Sequence, residues 1–396
     1  MLSIAGVLIA FSLIIWLLSK KVNLGHAMFL GSIIVAITSK LSIQKTIKVF
    51  IRGISSEETL ELIIIVTLIG VLAQLMEKTD LLTEMIESYS YIFNQKLIAV
   101  FIPSVIGALP IPGGAIMSAP LVKSIGDDMG LNDRKKMAIN FLYRHIWGFV
   151  FPMIPGLILA AQLTSVNVFT LIKLQFPISV VMGLVGYYSL FKDNKFEKQK
   201  KEPKSIIRIC YQLFITTLPL LVTFTVPLLF DVSLIIGLVI GSLTVIGLKY
   251  NKFRWSLLLE SFDYKLTISV VGIMVFKEFI NSGPDLKLLT DLLLGLGMPT
   301  IALVTIIPAL VGYVTGSITA GVGISFPLLL PVINQGPILI MIMYSAVFFG
   351  YFVSPVHFCL ILTNDYFGTK IKQVYYDLFW PTVTGIATLF LLVIIH

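Results

Sequence analysis

Two stretches of this chain collect residues able to bind ions inside otherwise apolar sequence. The first runs from Pro110-Ile-Pro-Gly-Gly114 onward and offers Pro112, Gly113, Gly114 and Ser118. The second, Thr315-Gly-Ser-Ile-Thr-Ala-Gly-Val-Gly323, offers Thr315, Gly316, Ser317, Thr319 and Gly321. Proline and glycine interrupt helices there, and an interrupted helix exposes N–H groups whose positive dipole end attracts anions. Unwound carbonyls and hydroxyls can replace water around Na+, which makes Ser118, Thr315, Ser317 and Thr319 candidate Na+ ligands. Small residues also serve close helix packing in lipid. Two such clusters in corresponding halves of one chain favour a binding site over packing alone.

Charge inside a membrane is costly, so each instance in an apolar run is a functional candidate. Arg144 and His145 open Tyr143–Pro155 (YRHIWGFVFPMIP), where Pro152 interrupts a helix. Arg144 is suited to neutralise a carboxylate or phosphate-like group, or it snorkels as an anchor beside Arg134, Lys135 and Lys136. His145 can carry a proton. In the second half, Ser354, Pro355 and His357 interrupt another helix, and Asn364 and Asp365 follow in CLILTNDYF. Proline frees a carbonyl one turn back, which either faces a site or marks a simple kink. Asp365 is a cation or proton ligand, or the polar end of a span. Enzyme readings find no support: HExxH, GxSxG and a P-loop are all absent from the sequence. Cys210 and Cys359 lie in apolar runs without metal-ligand spacing and read as small buried residues.

The elements holding these residues follow from composition. Of 396 residues, 57% are hydrophobic and 13% charged, with mean hydropathy +0.96. A soluble domain carries about 25% charged residues, so the chain reads as an integral membrane protein. Its net charge of +8 sits in short segments between apolar runs, densest at KDNKFEKQKKEPK. That is the pattern of cytoplasmic loops, and nucleic acid is not an expected partner. The first apolar run has no basic n-region and no small-residue cleavage site, so it reads as a spanning helix and not as a signal peptide.

About ten spans are expected, at 2–18, 22–38, 58–76, 138–162, 167–191, 206–229, 231–248, 265–280, 334–356 and 374–395. Amphipathic segments at 41–58 and 250–265 read as interfacial helices. Two more, at 78–93 and 281–296, precede the interrupted stretches.

These features recur at an offset of about 200 residues. PSVIG at Pro103–Gly107 answers PALVG at Pro308–Gly312, and Ser118-Ala-Pro-Leu121 answers Ser325-Phe-Pro-Leu328. HIWGFVFP answers VFFGYFVSP, and Phe176-Pro177 answers Trp380-Pro381. The expected organisation is a first repeat over 1–191 with a hairpin at about 97–123, a basic cytoplasmic linker over 192–205, and a second repeat over 206–396 with a hairpin at about 299–332. Five spans per half make the second repeat inverted and put both termini outside, although Lys40–Arg52 then lies outside against the charge rule. Arms too short to span make the two broken stretches re-entrant hairpins, covered by protein or a water-filled cavity.

With repeat, hairpins and broken helices in place, the chain resembles the ion-transporter superfamily of divalent-anion/sodium symporters and gluconate and citrate permeases. LPIPGGAIMSAP, YRHIWGFVFPMIP and SPVHFCLILTNDYF look most like an uncharacterised prokaryotic membrane-protein family within it. The resemblance implies a dimerising scaffold, a transport domain that moves as an elevator, and coupling to Na+ or H+. The Ser-Asn-Thr signature of the divalent-anion symporters is missing at both tips, so the resemblance carries over neither dicarboxylate specificity nor a sodium stoichiometry.

The expectation is therefore an all-α integral membrane protein of a prokaryotic cytoplasmic membrane. It would transport a small, carboxylate-type anionic solute coupled to Na+ or H+, as a homodimer in the lipid bilayer and without a cofactor. A cation/proton antiporter using Asp365 and His357 is the alternative. A membrane enzyme or assembly factor is the more distant one.

Overall fold

A computed structural model describes residues 2–109, 114–192, 206–282, 295, 297–331, 333 and 336–395. Every regular element among them is helical. Short polar side chains start many of the helices. Ser42, Ser56, Asn94, Asn132, Asn167 and Ser233 each accept a hydrogen bond from a backbone N–H of the first turn, which would otherwise be unpaired.

Among the described residues, four helical stretches are long and apolar enough to cross a bilayer: Ile43–Lys78, Val168–Phe191, Ile207–Phe230 and Ile371–Ile395. The first of these turns at Ser56, which separates the amphipathic helix Ile43–Ser55 from Glu57–Lys78. Leu2–Ser19, Leu24–Thr38, Leu234–Leu248 and Tyr264–Ser282 match the remaining simple spans.

The two interruptions expected after the hairpins are present. The span at 138–162 is two pieces, Asp133–His145 and Pro155–Thr164, joined by a short 3-10 turn, because Pro152 and Pro155 cannot donate to a continuous ladder. The span at 334–356 is likewise the first piece of a broken helix, Pro337–Phe352, followed by Phe358–Phe367. One expectation needs correction. The interfacial helix at 250–265 shrinks to Ser256–Glu260. Asp263 ends it by accepting from the N–H groups of Lys265 and Leu266, so it starts the next helix instead. The amphipathic segment at 78–93 is the helix Leu81–Ile92, and most of 281–296 and of the 192–205 linker lies outside the described residues.

Both interrupted stretches are helical hairpins. Gln95–Ala108 packs on Gly114–Asp128, and Thr300–Thr315 packs on Ile318–Leu329. The longest arm has 16 residues and rises about 24 Å, short of the ~30 Å hydrocarbon core. The first tip, with Pro112 and Gly113, lies outside the described residues.

Packing between the halves is reciprocal. The outer arm of each hairpin packs on the first piece of its own broken helix, Gln95–Ala108 on Asp133–His145 and Thr300–Thr315 on Pro337–Phe352. The inner arm of each packs on the second piece from the other half, Gly114–Asp128 on Phe358–Phe367 and Ile318–Leu329 on Pro155–Thr164. Leu24–Thr38 packs on Tyr264–Ser282, as Leu234–Leu248 does on Glu57–Lys78. Such exchange is what a two-fold axis relating two repeats produces. Glycines set the closest joints: a Cβ on Gly107 would lie 2.2 Å from the Arg144 carbonyl oxygen, and one on Gly312 2.3 Å from that of Val347.

Candidate functional site

The breaks meet between the two halves. Gly316, at the second hairpin tip, has φ +59°, a conformation that favours glycine, and a Cβ there would lie 3.0 Å from the backbone nitrogen of His357. One residue on, Ser317 caps Ile318–Leu329 by accepting from Ala320 N–H. The start of that helix lies against the first break, where a Cβ on Gly156 would be 3.3 Å from Thr319 N. The N-termini of Ile318–Leu329 and Pro155–Thr164 therefore face the same region. Each carries roughly half a positive charge.

On the other side, the Arg144 guanidinium lies against the start of Gly114–Asp128. A Cβ on Gly114 would be 2.6 Å from Nη1 and 2.7 Å from Nη2. Nη1 is buried and has no hydrogen-bond partner among the described residues. No ion pair with Arg144 occurs among the described residues, whereas Arg134 pairs with Asp377 at 2.7 Å and lies over the Tyr376 ring. Arg144 lies ten residues, about 15 Å of helix, further along the chain from that pair.

His145 points from the same turn toward the second half. Its Nδ1–H donates to the Phe141 carbonyl at 2.6 Å, and its ring centre lies 4.7 Å from that of His357. His357 is 1% exposed, its ring nitrogens have no hydrogen bond of ordinary geometry among the described residues, and its ring lies 3.9 Å from that of Tyr351. Phe141 and Phe352 complete an aromatic wall around the two imidazoles.

The freed carbonyls of the breaks are mostly satisfied within the protein. Ser179 donates to Ile146 O at 2.8 Å, Tyr344 to Gly148 O at 2.6 Å and Tyr375 to Val353 O at 2.9 Å, and Ser354 donates to Tyr313 O at 2.5 Å. The candidate Na+ hydroxyls are similarly engaged. Ser118 donates to Gly114 O and Thr315 to Val311 O, which leaves each oxygen its lone pairs.

The candidates divide accordingly. Gly114, Arg144, His145, Gly316, Ser317, Thr319 and His357 come together at the breaks. Thr315 lies beside the second tip, Ser118 is buried one turn into its helix, and Gly321 packs against Val347. Pro152 is buried at the first break, whereas Pro355 is exposed at the second. Asn364 accepts from the Thr369 hydroxyl at 2.7 Å. Asp365 is exposed on the last turn of its helix and does not join the histidine cluster.

Sequence reasoning missed Asn140, Tyr344 and Cys359. Asn140 is buried, donates to Ala115 O at 3.1 Å, and has no partner for its side-chain oxygen. Its spacing four residues before Arg144 puts both on one helix face, a signal that was available. Nothing local marks Tyr344 or Cys359. Two cavities stand apart from the site. One is an apolar groove of about 610 Å³ beside Phe29, Ile47 and Phe279, and the other a cleft of about 340 Å³ lined by Glu61, Gln162 and Ser233.

A family model described as "Protein of unknown function (DUF401)" matches residues 3–395. No curated protein matches the sequence. Among solved structures, the chain is similar to the YdaH transporter of Alcanivorax borkumensis, whose crystal structure is described as having an unusual topology. The match has a TM-score of 0.63 at 13% identity and covers 87% of this chain and 89% of that one. At that identity the likeness is one of fold.

Proposed function

This chain belongs to the DUF401 family of unknown function, and on that premise we propose that it is a secondary active transporter of a small anionic, carboxylate-type solute. The observation that carries the reading is Arg144, a cation with a buried, unpartnered nitrogen set against a helix N-terminus. No acidic side chain is grouped with the His145–His357 cluster among the described residues. A cation and helix N-termini in a water-poor place attract an anion more strongly than they would in bulk water. The antiporter reading loses ground, because Asp365 stands apart from His357.

The solute binds between the hairpin tips and the breaks, with Arg144 as countercharge and the N-termini of Gly114–Asp128 and Ile318–Leu329 as donors. Coupling is to Na+ or H+. Na+ would use Ser118, Thr315, Ser317 and Thr319, and H+ would use His145. The two repeats are inverted, both termini lie outside a prokaryotic cytoplasmic membrane, and the protein works as a homodimer.

One asymmetry supports an elevator-type movement within the ion-transporter superfamily. Ile318–Leu329 and Pro155–Thr164 pack on the long helices Tyr264–Ser282 and Glu57–Lys78, respectively, while Gly114–Asp128 leaves Ile116 and Leu121 exposed. Exchanging the two environments would open the site to the opposite side.

The test is thermal unfolding of the purified protein in detergent against carboxylates and inorganic anions, with and without Na+. A ligand at a hundred times its dissociation constant adds about 2.7 kcal/mol. Stabilisation by one anion class identifies the solute class. A shift with Na+ or pH alone, and with no anion, rejects Arg144 as countercharge.

A further inference from the structure

His145, His357 and Cys359 bring one ligand atom each to within 4.8 Å of one another, at the joint between the two broken helices. His145 comes from the first half, and His357 and Cys359 from the second. This cluster has the features of a metal site beyond mere proximity. The Nδ1–H of His145 donates to Phe141 O, which fixes the tautomer and leaves Nε2 free, the arrangement typical of a metal-bound imidazole. His357 is nine-tenths buried and more, and among the described residues neither of its ring nitrogens has a hydrogen bond of ordinary geometry, the Tyr351 backbone being its nearest polar neighbour. A buried polar group without a partner costs free energy unless something occupies it. Phe141, Tyr351 and Phe352 shield the cluster and set a low local dielectric.

We propose that His145, His357 and Cys359 bind a single soft monovalent metal ion of the Cu+ type, which ties the two halves together at the breaks. Donor number and charge select the ion. Two imidazoles and a thiolate form a three-coordinate set, and soft sulfur ligation favours Cu+. Metal–donor bonds of about 2.0–2.3 Å place donors roughly 3.5 Å apart, so the cluster closes by about 1 Å on binding. The thiol proton leaves as the metal enters. A monovalent ion with a thiolate is then neutral, whereas a divalent ion would leave a net positive charge next to Arg144 in a site with little water to screen it. The inference stands on the cluster alone and does not require the transported solute to be an anion.

Silver ion is the probe, as a redox-inert stand-in for Cu+, on the full chain in detergent with its histidines selectively labelled with nitrogen-15. The sequence has four histidines. One equivalent of Ag+ is expected to shift two imidazole signals and leave two in place, and a Cys210→Ser background, which removes the other thiol, should give the same result. His357→Ala should loosen Ag+ by about tenfold or more. The spectrum of the unsubstituted chain decides the matter even if that variant does not fold. Titration of Cys359 with no imidazole shift would overturn the site. Displacement of Ag+ by an equal concentration of Zn2+ would overturn the choice of a monovalent ion. Neither result bears on anion stabilisation through Arg144, so the two proposals fail separately.

Discussion

The two hairpins with their broken helices share one backbone joint and differ in what it carries. Gly107 meets the carbonyl of Arg144 at 2.2 Å in the first half, and Gly312 meets that of Val347 at 2.3 Å in the second. At this joint Arg144 takes the place of Val347, one residue out of the register in which HIWGFVFP answers VFFGYFVSP. The joint was built twice, and its charge was placed once. Burial differs as well. Along Ile318–Leu329 the glycines, Val322, Ser325 and Phe326 are all buried, and Gly323 lies against Ile273 of a long helix, while the first inner arm exposes Ile116 and Leu121. Equivalent elements therefore sit in unequal surroundings, which a repeat protein can exploit by exchanging them.

The largest expected effect tests the charge difference. Arg144→Met should abolish stabilisation by anions, a loss of the full ~2.7 kcal/mol that an anion at a hundred times its dissociation constant adds to the parent. Without anion the same variant should unfold no earlier than the parent, because an unpartnered cation has been removed. Val347→Met should change neither quantity, and thermal unfolding with and without anion reads all three. Next come the joints. Gly107→Ala and Gly312→Ala should each cost about 1–3 kcal/mol from overpacking against backbone, measured by chemical unfolding. A large cost at one glycine and none at the other would show that the joints are not equivalent.

The burial difference predicts labelling rates. In otherwise cysteine-free protein, Ile116→Cys should react with a small membrane-permeant maleimide on the order of tenfold faster than Ser325→Cys, which has to wait for local opening. Equal rates would remove the asymmetry. Smaller still are the hydroxyls that close the breaks. Ser179→Ala strands Ile146 O and Tyr375→Phe strands Val353 O, each for about 1 kcal/mol.

The smallest effect lies at the exposed pair between Asp80 and Lys252, which links the halves at 2.9 Å beyond the end of the apolar helix Glu57–Lys78. A hydrogen bond and charge from Lys252 hold the Asp80 carboxyl below its ordinary value. Its contribution is present above the ordinary carboxylate range and is lost as pH falls through the lowered value. Asp80→Asn should lower stability slightly at neutral pH and leave it unchanged in acid, so that the acid limb of a pH–stability profile flattens by that small amount.

Much of this arrangement was legible in the residues. Apolar length set most of the spans within a few residues, and the polar, glycine-containing interruptions of two apolar runs fell between the packed arms of the hairpins. Arg144 and His145 stood out as charge in an apolar run. Tyr250–Lys265 misled, because an amphipathic pattern says nothing about a downstream cap such as Asp263. Asp365 looked like a ligand because a polar residue beside apolar sequence is ambiguous between a site and a helix end. That Asp365 is exposed on the last turn of its helix is visible only in three dimensions.

By itself, then, the sequence determined that this is an all-helical membrane protein, where its helices break, and that its halves repeat. Those properties depend on hydropathy, proline and glycine acting over a few neighbouring residues. Only the tertiary structure decided that His145 meets His357 and Cys359, that Tyr344 closes the carbonyl of Gly148, and that the second hairpin is the one packed away. These pairings join residues from opposite halves, and no local propensity encodes a contact between distant segments. The last of them turns on which of two similar packings is favoured, a choice that belongs to the whole molecule.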